Sequence, residues 1–229
     1  SIVGDRIYTA GDQGKESFVV SLQRPDGKLA WSSKLGKAGA PGWGNFKGVR
    51  GTPTVESGRV FAIGQYGELA AYDAQSGKEL WRRHFKDDFG GKMPEWGYSE
   101  SPLVDGDFLV CTPGGSQGAI VALDKRTGKP VWQSKEFTDD AQYASLVIAE
   151  IGGVRQYIQL TMQSVAGVAA EDGRLLWQAA RKGRTAVITT PIYSDNRVYV
   201  TSDYGVGCNL FEIAVNGDRF SAEEVYANR

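Results

Sequence analysis

The chain has 229 residues, a formal net charge of −1 and a hydrophobic fraction of 41%. This charge balance gives no electrostatic argument for binding nucleic acid or an anionic membrane surface, and the hydrophobic fraction indicates a globular protein. No apolar run approaches the ~18 residues of a membrane-spanning helix. The opening residues "SIVGDRIYTAG" are typical of a strand and not of a signal peptide, so we expect a mature domain or a fragment.

A ten-residue pattern that ends in tryptophan occurs four times along the chain. In every copy a glycine lies four positions before the tryptophan, and successive tryptophans are 50, 51 and 45 residues apart. A fifth, weaker copy contains Gly217 but has Ser221 at the tryptophan position. Repetition at this period indicates an array of like structural units. The four glycine–tryptophan pairs are Gly27/Trp31, Gly77/Trp81, Gly128/Trp132 and Gly173/Trp177.

The second repeat, residues 52–85, shows what one unit contains. Its turns carry glycine, which supplies the positive φ that tight hairpins need. The runs between the turns are rich in β-branched, aromatic and small apolar residues, so we predict four short antiparallel strands per unit. In chain order the four runs are "TPTV", "RVFAIG", "ELAAYDA" and "KELWRRHF".

A lone four-stranded sheet cannot bury both of its faces, whereas sheets stacked around an axis can. We therefore predict a single all-β domain, a β-propeller with five four-stranded blades. Each tryptophan falls on the outermost strand of its blade, where its ring can lie flat against the next blade. We expect Trp31, Trp81, Trp132 and Trp177 to be structural for this reason. The blades are expected at about 1–51, 52–100, 101–144, 145–189 and 190–229.

Two copies of the repeat, "AYDAQSGKELW" (71–81) and "ALDKRTGKPVW" (122–132), resemble the signature of the PQQ-like repeat family of β-propellers. That family holds quinoprotein alcohol dehydrogenases, an outer-membrane assembly propeller lipoprotein without a cofactor, and proteins similar to polyvinyl-alcohol dehydrogenase. Its members usually have seven or eight blades, so the resemblance implies that five blades are part of a larger ring. A small closed ring of five is the alternative. Members are mostly exported, which implies a periplasmic, cell-surface or secreted protein.

The ligand site of a propeller is expected in the axial funnel, on the loops that join one blade to the next. Here these loops are residues 36–51, 86–101, 136–145 and 180–190, and the first two share a Trp-Gly pair. Large aromatics in long loops are a plausible recognition surface. The alternative is that these aromatics plug the funnel and cap the core. The candidate ligand-binding residues are Trp43, Asn45, Arg50, Glu95, Trp96, Tyr98, Glu100 and Tyr143.

The sequence offers less evidence for an enzyme than for a binding protein. The resemblance to quinoproteins implies PQQ stacked over a tryptophan, below a disulfide of adjacent cysteines, with Ca²⁺ held by carboxylate and amide oxygens. Cys111 and Cys208 are 97 residues apart, and no acidic motif matches the calcium site. His84 is the single histidine, and neither a nucleophile elbow nor a phosphate loop is present. We therefore predict no catalytic residue, no metal and no cofactor.

We interpret the chain as a non-catalytic exported propeller that binds a protein, peptide or glycan through its funnel-face loops. Nucleic acid and a membrane-spanning segment are not expected. The alternative is a PQQ- and calcium-dependent quinoprotein alcohol dehydrogenase of which this chain is a part. A third hypothesis is an assembly protein that uses its blade edges.

Overall fold

The structure of the chain, a computed structural model, describes residues 1–44 and 46–228. Its strands form five four-stranded antiparallel sheets, and each sheet takes consecutive strands in meander order. The expected fold class is confirmed, because the chain is all-β and its sheets have the form of blades in a partial β-propeller. We number the sheets blade 1 to blade 5 in chain order.

Each blade begins with a short inner strand and ends with an outer strand. Blade 1 contains β1 (Ile2–Val3), β2 (Arg6–Gln13), β3 (Glu16–Gln23) and β4 (Leu29–Lys37). Blade 2 contains β5 (Thr54–Glu56), β6 (Arg59–Ile63), β7 (Glu68–Asp73) and β8 (Glu79–His84). Blade 3 contains β9 (Leu103–Asp105), β10 (Phe108–Cys111), β11 (Val121–Asp124) and β12 (Pro130–Gln133). Blade 4 contains β13 (Val147–Ile151), β14 (Val154–Leu160), β15 (Ser164–Ala169) and β16 (Leu175–Ala180), and blade 5 contains β17 (Ile192–Ser194), β18 (Arg197–Ser202), β19 (Gly207–Asn216) and β20 (Arg219–Asn228).

The glycine of the repeat closes the turn between the third and fourth strands. In blades 1 to 4 its φ lies between 68° and 74°, and its N–H donates to the carbonyl four residues earlier at 2.8–2.9 Å. Only glycine adopts this left-handed conformation without cost. In blades 2 and 3 an aspartate begins the turn and accepts the N–H and hydroxyl of Ser76 or Thr127. These hydrogen bonds lower the pKa of Asp73 and Asp124.

Three of the four repeat tryptophans lie against the next blade. A Cβ added to Gly77 would lie 2.6 Å from the ring of Trp31, and one added to Gly128 would lie 2.6 Å from the ring of Trp81. Trp132 covers the glycine of blade 4, Gly173, in the same way. Burial of such a ring stabilises a fold by roughly 1.5–3 kcal/mol. The indole N–H groups donate across the same interfaces, at 3.0 Å to the carbonyl of Ala74, 3.0 Å to that of Lys125 and 3.1 Å to that of Ala170.

Trp177 departs from the predicted docking. Its ring lies over Gly167 of its own blade, and its N–H donates to the side-chain oxygen of Gln156 at 2.8 Å. A Cβ added to Gly217 of blade 5 would have no heavy atom within 4 Å. Trp177 is nevertheless buried, since it belongs to a hydrophobic cluster that includes Val198 and Phe211 of blade 5.

Hydrogen bonds also link the chain just before the inner strands. The Thr52 N–H donates to the Ser101 hydroxyl and the Ser101 N–H donates to the Ser145 hydroxyl, both at 3.0 Å. The starts of blades 2, 3 and 4 are thereby held together near the axis. The loops that precede these strands are consequently brought to one place.

The outer faces of the two terminal blades are apolar and accessible. Ile2 and Leu29 of blade 1 are 62% and 61% exposed, and Ile192 of blade 5 is 62% exposed. A Cβ added to Gly27, the docking glycine of blade 1, would have no heavy atom within 4 Å. Further blades would cover these faces, and the size of the ring stays a prediction.

One short helix, α1 (Phe85–Phe89), lies in the loop between blades 2 and 3 and was not predicted. Asp87 and Asp88 lie in its first turn, Phe85 and Phe89 are buried, and Gly90 ends it in a left-handed conformation. Among the described residues, no helix has the length and apolar character needed to cross a membrane.

Candidate functional site

A cleft of about 420 Å³ opens where the four interblade loops meet. Its walls come from the loop after each of blades 1 to 4 and from the turn between β18 and β19. Such a volume falls within the ~300–1,000 Å³ of typical ligand sites. The cleft is lined by Trp43, Phe46, Arg50, Trp96, Ser99, Tyr143, Thr185, Ala186, Ile188 and Tyr204.

Glycines next to the two loop tryptophans allow their loops to approach other backbone closely. Gly97 has a φ of +81°, and a Cβ there would lie 2.6 Å from the carbonyl oxygen of Gln65. Gly42 has a φ of +74°, and a Cβ there would collide with the carbonyl of Glu95. The first loop therefore lies directly on the second, and this contact brings Trp43 beside Trp96.

The aromatic rings of the cleft pack on one another, edge to face for Trp43 and Trp96 and tilted for Trp96 and Tyr143. Trp43 and Trp96 have ring centroids 5.7 Å apart at 67°, and Trp96 lies 6.0 Å from Tyr143. The indole N–H of Trp96 donates to the carbonyl of Trp43 at 3.0 Å, and its backbone N–H donates to the hydroxyl of Tyr143 at 3.2 Å. These contacts fix the ring positions, because each polar edge is already paired.

Arg50 links the two loops through its guanidinium group. It donates to the carbonyls of Trp96 and Phe46, the second at 2.9 Å, and to the Ser99 hydroxyl at 3.3 Å. Arg50 therefore contributes to the shape of the cleft rather than offering a free fork of donors to a ligand. The exposed surface is mainly apolar: Trp43 is 64%, Phe46 53% and Ile188 58% exposed.

Of the seven candidate residues that the structure describes, four lie in the cleft and three do not. Trp43, Arg50, Trp96 and Tyr143 line it. Asn45 lies outside the described residues. The remaining three candidates, Glu95, Tyr98 and Glu100, do not line it.

Tyr98 and Glu100 are buried below the loop surface. Tyr98 is 2% exposed, packs edge to face on Phe85 and donates its hydroxyl to the carbonyl of Pro113 at 2.9 Å. Glu100 is also 2% exposed, and one of its oxygens accepts the N–H of Thr112 at 2.6 Å. Burial raises the pKa of Glu100 to about 7, although the hydrogen bonds from Thr112 act to lower it. Both side chains anchor the loop of Trp96 instead of facing a ligand.

Sequence reasoning missed six of the residues that line the cleft. All of them except Tyr204 lie in loops that it had singled out, and an exposed aromatic, Phe46, close to Trp43 was a usable signal. Ile188 and Tyr204 come from the last loop and from a turn within blade 5, and only the tertiary fold brings them near Trp43. The missed residues are Phe46, Ser99, Thr185, Ala186, Ile188 and Tyr204.

The donor set of the cleft does not fit PQQ held with calcium. None of the described residues that line it is a carboxylate, the ligand that supplies negative charge in Ca²⁺ sites. Cys111 is a free buried thiol and Cys208 a free half-buried one, so they supply no adjacent-cysteine disulfide. Across residues 1–44 and 46–228, no three His, Cys, Asp or Glu side chains converge as metal ligands would.

Comparison with known proteins matches most of the chain. The family model described as outer membrane protein assembly factor BamB matches residues 15–226. The BamB of Moranella endobia is 25% identical over 186 residues, which cover 78% of this chain and 42% of that protein. A quinohemoprotein alcohol dehydrogenase, ADH IIB of Pseudomonas putida, is 28% identical over 149 residues, 58% of this chain and 20% of that protein.

A solved structure shows the same fold. The crystal structure of BamB from Moraxella catarrhalis superposes with a TM-score of 0.56 at 19% identity, covering 92% of this chain and 56% of that one. The chain spans less than half the length of the curated BamB relatives that it matches.

Proposed function

Because the chain belongs to the family of the outer membrane protein assembly factor BamB, we propose that it is a non-catalytic binding module that recognises a polypeptide partner at the aromatic cleft. The observation that carries the proposal is the concentration of exposed apolar side chains in one concave site. Trp43, Phe46 and Ile188 are all more than half exposed, although burial of such side chains is favourable. Contiguous exposed apolar surface of this kind is typical of an interaction site.

The location that goes with this function is the periplasm or the cell surface. The names of the relatives place their role at the outer membrane, and the family resemblance implies export. Fractionation of the source cells with an antibody to this chain tests the proposal, and recovery in the cytoplasm would contradict it.

A peptide selection tests the binding role directly. The whole chain is immobilised, random displayed peptides are selected on it, and the affinities of the selected peptides are measured by fluorescence anisotropy. We expect Ile188→Ala to weaken binding by about tenfold, since it removes apolar surface from the cleft. Ile192→Ala is the matched control, because Ile192 is 62% exposed, close to the 58% of Ile188, but lies outside the cleft. If every selected peptide bound the two variants equally, the cleft would not be the site of peptide binding.

The dehydrogenase alternative is tested separately. The chain is titrated with PQQ and Ca²⁺ while tryptophan fluorescence and dye-linked alcohol oxidation are followed. Saturable quenching accompanied by turnover would overturn the non-catalytic proposal. We expect neither, because the cleft offers no carboxylate for the metal.

A further inference from the structure

The polar groups of the cleft decide which part of a ligand can enter it. The guanidinium of Arg50 is bonded to two carbonyls and a hydroxyl, and the indole N–H of Trp96 is bonded to the carbonyl of Trp43. The walls formed by Trp43, Phe46 and Ile188 offer a charged group no partner, so it would lose its hydration against them. Only the two N–H donors of Arg50 that these bonds leave free could pair with an anion. We therefore expect the group that lies against these walls to be uncharged and apolar.

The same inventory disfavours a sugar ring. A saccharide carries hydroxyl groups around its ring, and each needs a partner when it leaves water. Among the described residues that line the cleft, the side chains offer hydroxyls such as those of Tyr143 and Thr185 but no amide or carboxylate. The rings of Trp43 and Trp96 meet at 67° and so do not form one flat platform. An aromatic or branched aliphatic side chain matches these walls better.

The rim of the cleft carries more positive than negative charge. Lys47 follows the lining residue Phe46, while Lys182 and Arg184 precede Thr185, and all three cations are exposed. Among the described residues, none of these cations pairs with a carboxylate, and the same holds for Arg50.

Two exposed carboxylates, Glu95 and Asp203, adjoin the lining residues Trp96 and Tyr204. Glu100, next to Ser99, is buried, and Asp140, three residues before Tyr143, pairs with Lys92. The four cations outnumber the two exposed carboxylates, whereas the whole chain has a net charge of −1. A partner of opposite charge would complement this rim.

On the premise of the proposed binding function, we propose that the cleft receives an aromatic or branched aliphatic side chain from an extended polypeptide segment whose flanking residues are acidic. The side chain fills the space between Trp43, Trp96 and Ile188. The flanking Asp or Glu residues lie near Lys47, Lys182 and Arg184. Apolar contact supplies most of the affinity, and the rim charges favour acidic over basic flanking residues.

Four synthetic peptides of equal length separate these contributions. One has a central Phe flanked by Glu and Asp, one replaces that Phe by Ser, one replaces the acids by Lys, and one replaces them by Ser. Binding to the whole chain is measured by fluorescence anisotropy at 50 mM and 500 mM salt. We expect the acidic Phe peptide to bind about tenfold or more tightly than the other three at low salt, and to lose that advantage over the Ser-flanked Phe peptide at high salt.

Variants of the chain assign the effect to the cleft and its rim. Ile188→Ala and Trp43→Ala should each lower the affinity for the acidic Phe peptide by about tenfold, while Ile192→Ala should leave that affinity unchanged. The double change Lys182→Glu with Arg184→Glu should reverse the preference between the acidic and basic Phe peptides. Ile188→Ala removes a smaller side chain than Trp43→Ala does. It therefore still tests the cleft if Trp43→Ala does not fold.

The outcomes separate this inference from the binding function itself. Tighter binding of the basic Phe peptide, or equal binding of the acidic, basic and Ser-flanked Phe peptides, would overturn the acidic partner while the cleft remained a binding site. Trp43-dependent binding of a glucan oligosaccharide with no Phe peptide bound would overturn the polypeptide. Binding of every ligand that is unaffected by both cleft variants would overturn the inference and the proposed function together.

Discussion

The interfaces between blades 1 to 4 and the interface between blades 4 and 5 use the same residue type in different ways. In the first three, a tryptophan lies on the docking glycine of the following blade and donates its indole N–H to that blade. In the last, Trp177 lies on its own blade and the glycine of blade 5 has no neighbour. The same glycine–tryptophan spacing thus leads to two kinds of contact.

The first and the last interface also differ in the strand that the outer strand meets. β4 packs against β7, the third strand of its neighbour, whereas β16 packs against β20, the fourth. β19 and β20 are ten residues long, and their hairpin carries Phe220 and Ala222 onto the shared cluster. Arg181 adds a polar contact at this interface. A docking tryptophan therefore needs the next blade to present its third-strand turn, and spacing alone does not ensure that.

The largest expected effect comes from filling an occupied docking glycine. Gly128→Ala places a methyl group against Trp81 and also strains a φ of +68°. We expect the free energy of unfolding to fall by roughly 2–5 kcal/mol, of which the backbone accounts for roughly 1–2 and overpacking for the rest. Chemical denaturation with a linear extrapolation measures it.

Gly27→Ala is the matched control for that change. Its φ of +69° gives the same backbone strain, but no heavy atom lies within 4 Å of the new methyl group. We expect a loss of roughly 1–2 kcal/mol. If the two variants lost equal stability, ring contact would contribute nothing and the comparison between the interfaces would collapse.

The next effect concerns the interface without a docked tryptophan. Arg181 is 4% exposed and donates to Asn209 at 2.9 Å, Ser202 at 2.9 Å and the Gly207 carbonyl at 3.0 Å. Arg181→Met would remove a buried donor from three acceptors that are buried or partly buried, so we expect a loss of roughly 2–3 kcal/mol in unfolding free energy. Arg174→Met, at an exposed arginine of blade 4, should change stability by less than about 0.5 kcal/mol. A neutral result for Arg181→Met would mean that apolar contacts alone hold blade 5.

Much of the fold was predictable because its cause is local. Glycine with positive φ, the aspartate that begins a turn, and alternating apolar strands all act within a few residues. The helix α1 was missed because its polar stretch, residues 86–88, looks like an ordinary loop, and its stability depends on the buried Phe85 and Phe89. The contact of Trp177 was missed because it depends on how a later blade packs.

The candidate site was predictable in part for the same reason. Trp43 and Trp96 stand out as aromatics beside glycine in long loops. Ile188 lies in the expected loop 180–190 but carries no signal of its own, and Tyr204, in a turn within blade 5, reaches the cleft only through the stacking of the blades. Glu100 was expected at the funnel surface because charged residues are seldom buried. Its burial results from packing around Thr112 and Cys111, which the sequence pattern does not specify.

The smallest expected effect concerns Glu100, in the loop between blades 2 and 3. It tests whether this buried carboxylate lowers the free energy of unfolding. Burial raises the pKa of Glu100 from an ordinary 4.5 to about 7 in the folded chain. Between these two values the unfolded chain releases the proton and the folded chain keeps it, so this group lowers stability as pH rises from 4.5 to 7. Above that window the cost is constant, with an upper limit of about 3 kcal/mol.

Glu100→Gln cannot ionise and should therefore gain stability over the parent chain as pH rises. We expect a gain of about 1–2 kcal/mol at pH 8, below the limit because the new amide also lacks a full set of partners, and little gain near pH 4.5. Urea unfolding of both proteins at the two pH values measures the difference. Since every other titrating group is common to both proteins, a gain that did not change with pH would show that Glu100 keeps an ordinary pKa in the folded chain. Glu100 would then anchor the loop of Trp96 as a charged carboxylate. Any group that destabilises this part of blades 1 to 4 would have to be another buried polar side chain.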